Sequence, residues 1–234
     1  MRNYQFGSAT DLEVLTRLLT AERLSTYDMG NGEGIAETFR LYESNMQAAA
    51  AAMHTTGMVE VLVRNALDAA LVDWWGQVAP TEDWLHSRLL DRQGTLDVNK
   101  AVSRHKPASI YPSHGQVVAE LHFGFWRFLV SKRYLTTLWI PAAHRGFPFL
   151  EGKLHERRTA LEAALKSLNL VRNRAAHNEP IHRRHLMEDL ATAVAVASWI
   201  HPVAGAWVAT RSMIPQAELV SRGTSVQSRK PIAP

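Results

Sequence analysis

The sequence predicts an all-α protein, and three observations carry that expectation. Apolar residues recur at steps of three and four through long windows, the spacing that gathers them on one helix face. No run alternates apolar and polar residues for more than a few positions between turn signals, as a half-buried strand would. Pro107, Pro112, Pro141, Pro148 and Pro180 fall at the joins between periodic stretches rather than inside them.

The elements follow in order. Residues 10–24 read as a short helix. After the turn-rich MGNGEG, Ile35, Phe39, Tyr42, Met46, Ala49 and Met53 form one stripe and predict a helix over about 35–53. A second long helix fits about 57–76, with Met58, Val61, Leu62, Ala69 and Val72 as its stripe and Asn65 on it. A third fits 116–139. A fourth fits 153–176, with Leu154, Leu161, Leu165 and Leu168 in register. A fifth runs from about Arg183 to Ile200 through Leu186, Leu190, Ala193 and Ala197. Ala191 to Ala209 carries no formal charge, but the weakly apolar Ala is its commonest residue and it contains Pro202, which ends a helix. It reads as a buried helix stopping before Pro202, not as a membrane span. With no apolar leader at its start, the chain reads as soluble and cytoplasmic.

At 234 residues, 46% hydrophobic and 21% charged, the composition is that of an ordinary globular protein and excludes disordered or collagen-like classes. One helical domain over 1–212 and a flexible basic tail over 213–234 are expected. Zero Cys excludes a disulfide scaffold, a thiol nucleophile, Cys-ligated zinc and iron–sulfur chemistry. No phosphate loop, dinucleotide fingerprint, H-E-x-x-H or G-x-S-x-G is present. The net charge is only +4, yet its distribution is uneven. Residues 1–97 hold 7 Lys/Arg against 14 Asp/Glu, and residues 98–234 hold 19 against 8. A polyanionic partner for the second half follows.

The densest polar stretch is Arg172 to His185, with four Arg, three His and Glu179 in fourteen residues. Arg172 is the informative one, because the stripe at 161, 165 and 168 next lands on it. A guanidinium there must be paired, face a cavity or sit at an interface. His177 lies about 140° further round an ideal helix. The two share a site only if the helix ends or distorts between them, or if they meet across a subunit boundary; Asn178 and Pro180 favour an ending. A structural arginine and a histidine that merely caps its helix fit the spacing as well. A metal site at His177, His182 and His185 is a further alternative, disfavoured by Arg183 and Arg184 beside it.

Elsewhere Glu60, Arg64 and Asp68 are spaced as a salt-bridge ladder. Arg64 or Asn65 is a candidate support for the Arg172 site, as is Glu120. Lys100, Arg104, Lys106, Arg127, Lys132 and Arg133 make residues 100–133 a candidate phosphate-tracking surface. Gly124 costs its helix about 1 kcal/mol relative to Ala and implies close packing there.

Taken together, AERLSTY at 21–27, LYESNMQAA at 41–49, VEVLVRNALDAAL at 59–71, VVAELHFGFWRFL at 117–129, LVRNRAAHNEPI at 170–181 and WIHPVAGAW at 199–207 resemble the Abi-like (abortive infection) branch of the HEPN superfamily. The resemblance implies a HEPN-like helical bundle with extra helices, usually dimeric, that acts on RNA. Its R-x(4–6)-H signature corresponds here to Arg172, Asn173 and His177. The activity it implies is a metal-independent, cofactor-free endoribonuclease of a phage-defence or toxin–antitoxin system. Such an enzyme uses RNA 2′-hydroxyl attack to leave 2′,3′-cyclic phosphate and 5′-hydroxyl ends. Arg174, Arg183, Arg184, Lys132 and Arg133 are then candidate RNA contacts, and a protein or RNA antitoxin is a possible partner. A non-catalytic RNA-binding or interaction module is the alternative.

Overall fold

The computed structural model describes residues 8–27, 34–105 and 110–218. Among these the chain is helical and has no strand, so the expected all-α class holds. The helices are α1 (Ala9–Leu19), α2 (Ala21–Ser25), α3 (Gly34–Val78), α4 (Arg92–Arg104), α5 (His114–Glu120), α6 (Phe123–Leu129), α7 (Leu154–Ala176), α8 (Leu186–Ile200) and α9 (Pro202–Arg211). Short 3-10 turns lie at Trp84–His86, Lys132–Tyr134 and Ala143–Gly146, and a π-helical turn at Leu135–Trp139. No described helix is long and apolar enough to cross a membrane.

Several boundaries differ from those read off the sequence, each for a local reason. The expected helices at 35–53 and 57–76 are one helix, α3. The weak helix formers Thr55 and Thr56 are almost fully buried, and that burial outweighs propensities of well under 1 kcal/mol each. The helix expected over 10–24 is two, split at Thr20, whose φ is +70° and whose hydroxyl caps α2 by accepting the Arg23 N–H at 3.3 Å. The stretch 116–139 breaks after Glu120, because the His122 ring accepts the Phe125 N–H at 3.2 Å and starts a new helix. Gly124 permits this, since a Cβ there would stand 2.9 Å from that ring. α4 is unforeseen: its sequence is mostly polar, with only Gly94, Val98 and Ala101 buried, and Asp91 caps it through the Gly94 N–H at 2.8 Å. α7 matches its expected span closely. α8 stops at Ile200, and Pro202 occupies the first turn of α9, where its missing N–H has no partner to lose.

The chain divides into two compact units. One takes Met1–His54, Arg172–Met187 and Met213–Pro234, and the other Thr55–Val171 and Glu188–Ser212. Residues 214–218 are helical and Ile214 is buried, where a tail was expected to begin; residues 219–234, and Lys106 of the basic stretch, lie outside the described residues.

In the larger unit, the buried face of α3 is Val59, Val63, Leu67 and Leu71, not the stripe read from the sequence. Val61 and Val72 are exposed, and so is Asn65. VEVLVRNALDAALV is apolar enough to offer two competing stripes, and packing selects the other one. Trp84, Trp126, Trp139, Phe123 and Phe147 fill this core, and Leu161, Leu165 and Leu168 of α7 are fully buried in it. Each such side chain contributes about 1.5–3 kcal/mol. Gly146 lies against α3 so closely that a Cβ would stand 2.7 Å from the Ala66 carbonyl oxygen. Because backbone cannot swing aside, Gly146→Ala is expected to destabilise the chain by about 1–3 kcal/mol, read as a lower denaturation midpoint.

Candidate functional site

The end of α7 carries the residues the sequence singled out. Arg172 follows Leu168 on the same helix face and is half-buried. Its Nη1 donates to Asn173 Oδ1 at 3.3 Å, so the neighbouring amide helps fix the guanidinium. The helix then closes with a Schellman turn. Asn178 adopts φ +52°, the left-handed conformation that Asn tolerates better than most residues. The Asn178 N–H reaches the Ala175 carbonyl at 3.1 Å, and the Glu179 N–H reaches the Arg174 carbonyl at 2.8 Å. His177, the residue before the turn, keeps its N–H on the Asn173 carbonyl at 3.0 Å. Its ring is exposed and makes no side-chain hydrogen bond among the described residues. The expected ending at Asn178 and Pro180 is present, but it falls after His177: the helix runs unbroken from Arg172 through the His177 N–H bond, so the two side chains leave it about 140° apart.

What holds the following loop was not foreseen. Asn45 of α3 is fully buried, and its Oδ1 accepts two backbone N–H groups, Ile181 at 2.7 Å and His182 at 3.1 Å. Arg23 of α2 donates to the Asn178 carbonyl. Tyr27, almost fully buried, packs edge-on against Tyr42 (centroids 5.2 Å apart) and tilted against the His182 ring (5.3 Å). Three of the sequence pieces named above, AERLSTY, LYESNMQAA and RNRAAHNEPI, thus meet in the smaller unit. Their meeting was not predictable from spacing; a polar Asn amid small apolar residues was the one local signal.

Burial pushes the Tyr27 hydroxyl above its ordinary value, against the pull of Arg23. Burial, followed by the nearby charge of Arg183, holds His182 below the usual imidazole range. Both His182 ring nitrogens are sealed from solvent without a hydrogen-bond partner among the described residues. His177 and His185 are exposed, and no metal-binding group of three His, Cys, Asp or Glu occurs among the described residues.

Of the candidate RNA contacts, Arg183 is exposed, Arg184 is half-buried, and Arg174 is exposed with its Nε 3.7 Å from Glu179. Those three belong to the smaller unit with Arg172. In the larger unit, Lys132 is exposed, while Arg133 is engaged by Asp91 at 2.7 Å. The three supporting candidates also belong to the larger unit. Arg64 is half-buried and donates to Asn65 at 3.3 Å, and Glu120 is exposed at the end of α5.

Asp68, expected to join a ladder with Arg64, instead accepts Trp84 Nε1 at 2.9 Å and His114 Nε2 at 2.9 Å. The other nitrogen of His114 bonds Asp83 at 2.8 Å. Hydrogen bonds to Asp68 and then Asp83 raise His114 to about 10, against the opposing effect of burial. Asp83 is pushed up by burial but held below the carboxylate range by His114 and the Leu85 N–H. A folded value above the unfolded 6.5 gives stabilisation that is complete below pH 6.5 and lost as pH rises through about 10. Partial exposure reduces the effect, so His114→Leu is expected to lower stability by about 2 kcal/mol at pH 6 and much less above pH 10. Thermal melts of both proteins across that range check the convergence.

Comparison of the chain with protein-family models, with curated proteins and with solved structures returns no match, so the residues at the end of α7 carry the functional reading by themselves.

Proposed function

We propose that the end of α7 is the catalytic centre of a metal-independent endoribonuclease, of the Abi-like HEPN kind and used in phage defence or a toxin–antitoxin pair. The observation that carries this reading is a half-buried Arg172, steadied by Asn173, on the same last turns of α7 as an exposed His177 at a defined helix end, an arrangement in which the two act together across the boundary of a homodimer. The RNA 2′-oxygen forms a bond to its own 3′-phosphorus while the bond from phosphorus to the 5′-oxygen breaks. The 2′-proton leaves to a base, and a proton reaches the departing 5′-oxygen; the His177 imidazole is the group that exchanges these protons. Arg172, always charged, faces the extra negative charge of the transition state. Asn173 orients Arg172 or a phosphate oxygen. In a homodimer a second copy supplies a second such set, so one histidine takes the proton and the other delivers it.

Incubating the full chain with single-stranded RNA in EDTA is expected to give cleavage with 2′,3′-cyclic phosphate and 5′-hydroxyl ends. DNA of the same sequence, lacking the nucleophile, stays intact. Arg174 and Arg183 at the same helix end also suit a non-catalytic RNA-binding module. Salt-sensitive RNA binding without cleavage would put that reading in place of the first.

A further inference from the structure

We propose that the cleft between α4 and α6 in the larger unit binds a nucleoside monophosphate, either as a free mononucleotide or as the 5′-terminal nucleotide of an RNA. The cleft encloses about 430 Å³, a volume suited to a small organic ligand. One wall is a single face of α4, with Gln93, Asp97 and Lys100 at steps of four and three. The other wall brings His122, Arg127 and Phe128.

The charges in this cleft do not balance. Its carboxylate, Asp97, is occupied: Gln93 Nε2 donates to it at 2.9 Å, and His122 Nε2 stands 3.9 Å away. Lys100 and Arg127 have no acidic partner among the described residues. Arg127 is half-buried, and its Nε is sealed from solvent with no hydrogen-bond acceptor among the described residues. A guanidinium that lines a cleft with no counter-charge favours an anion there, and a phosphate group, which matches its planar fork, supplies one.

The remaining walls suit a nucleobase. The Phe128 ring is half-buried and fixed edge-on by Tyr134, with centroids 5.8 Å apart, which leaves an aromatic surface for stacking. Gln93 spends its amide N–H on Asp97, so its Oε1 remains an acceptor for an exocyclic amino group. His122 is held in place through Nδ1, which accepts the Phe125 N–H, and by the missing side chain at Gly124. This inference stands independently of the reading of Arg172 and His177.

Calorimetric titration of the full chain with 5′-AMP, adenosine and inorganic phosphate tests it. 5′-AMP is expected to saturate a site, with adenosine and phosphate each at least about tenfold weaker, because each lacks part of the contacts. Lys100→Met, a change at an exposed side chain that leaves the melting temperature unaltered, is expected to weaken 5′-AMP by about tenfold, as is Arg127→Met. Competition by a 2′-O-methylated oligonucleotide bearing a 5′-phosphate, but not by its 5′-hydroxyl form, assigns the RNA terminus; competition by neither assigns the free mononucleotide. Absence of saturable 5′-AMP binding, adenosine binding as tightly as 5′-AMP, or native affinity in both variants overturns the inference.

Discussion

His177→Ala is expected to lower RNA cleavage by about 10²–10⁴-fold, the range a positioned proton-transfer group supplies. The same substitution should leave the melting temperature nearly unchanged, because the ring is exposed and the cap bond at 177 belongs to the main chain. Loss of rate without loss of fold is the signature of a residue that touches the reacting atoms. Arg172→Ala is expected to cost about 10²–10³-fold, and Arg172→Lys to recover only part of it, since an ammonium keeps the charge but not the planar fork. Full cleavage by the His177→Ala protein would remove the assignment of the site.

The second large effect lies in the support of that site. Asn45→Ala leaves the Ile181 and His182 N–H groups without their shared acceptor, and the Ile181 bond is fully buried. An unsatisfied buried donor costs about 1–3 kcal/mol, so the pair is expected to cost about 3 kcal/mol, or a fall of about 6–12 °C in melting temperature. RNA cleavage should fall as well, because the chain that follows His177 loses its tether. That loss should be rescued in part by lowering the temperature, unlike the loss in His177→Ala. A melting temperature equal to that of the native chain would show that the two N–H groups find other acceptors, and that Asn45 does not organise the loop.

The long amphipathic helices were legible in the sequence because their signal is local and repeated. α7 matches its expected span and α8 ends at Ile200 as expected, though it starts at Leu186 rather than Arg183, since Leu161, Leu165, Leu168, Leu186 and Leu190 each face the interior at helical spacing. The stripe of α3 was misread where both of its faces are apolar, so period alone could not choose between Val61 and Val63. The break at Leu121 was hidden because apolar residues continue on both sides of it; only a histidine ring fitting over a glycine reveals it. In the candidate site, the ending of α7 was legible from Asn178 and Pro180, because left-handed caps have their own residue chemistry. The roles of Asn45 and Arg23 were not, since each acts on backbone more than a hundred residues away. Asp68 shows the same limit: Arg64 at helical spacing is a plausible partner, but Trp84 and His114 take the carboxylate.

All seven tryptophans fall in the unit formed by Thr55–Val171 and Glu188–Ser212, and none in the unit that contains Arg172 and His177. Intrinsic tryptophan emission therefore follows the unfolding of the first and is silent on the second. Helical circular dichroism reports on both. An Asn45→Ala protein followed by fluorescence alone would look native through a transition that loosens the neighbourhood of His177. Superimposed against the dichroism curve, the same emission trace becomes a direct gauge of whether the two units melt as one cooperative block.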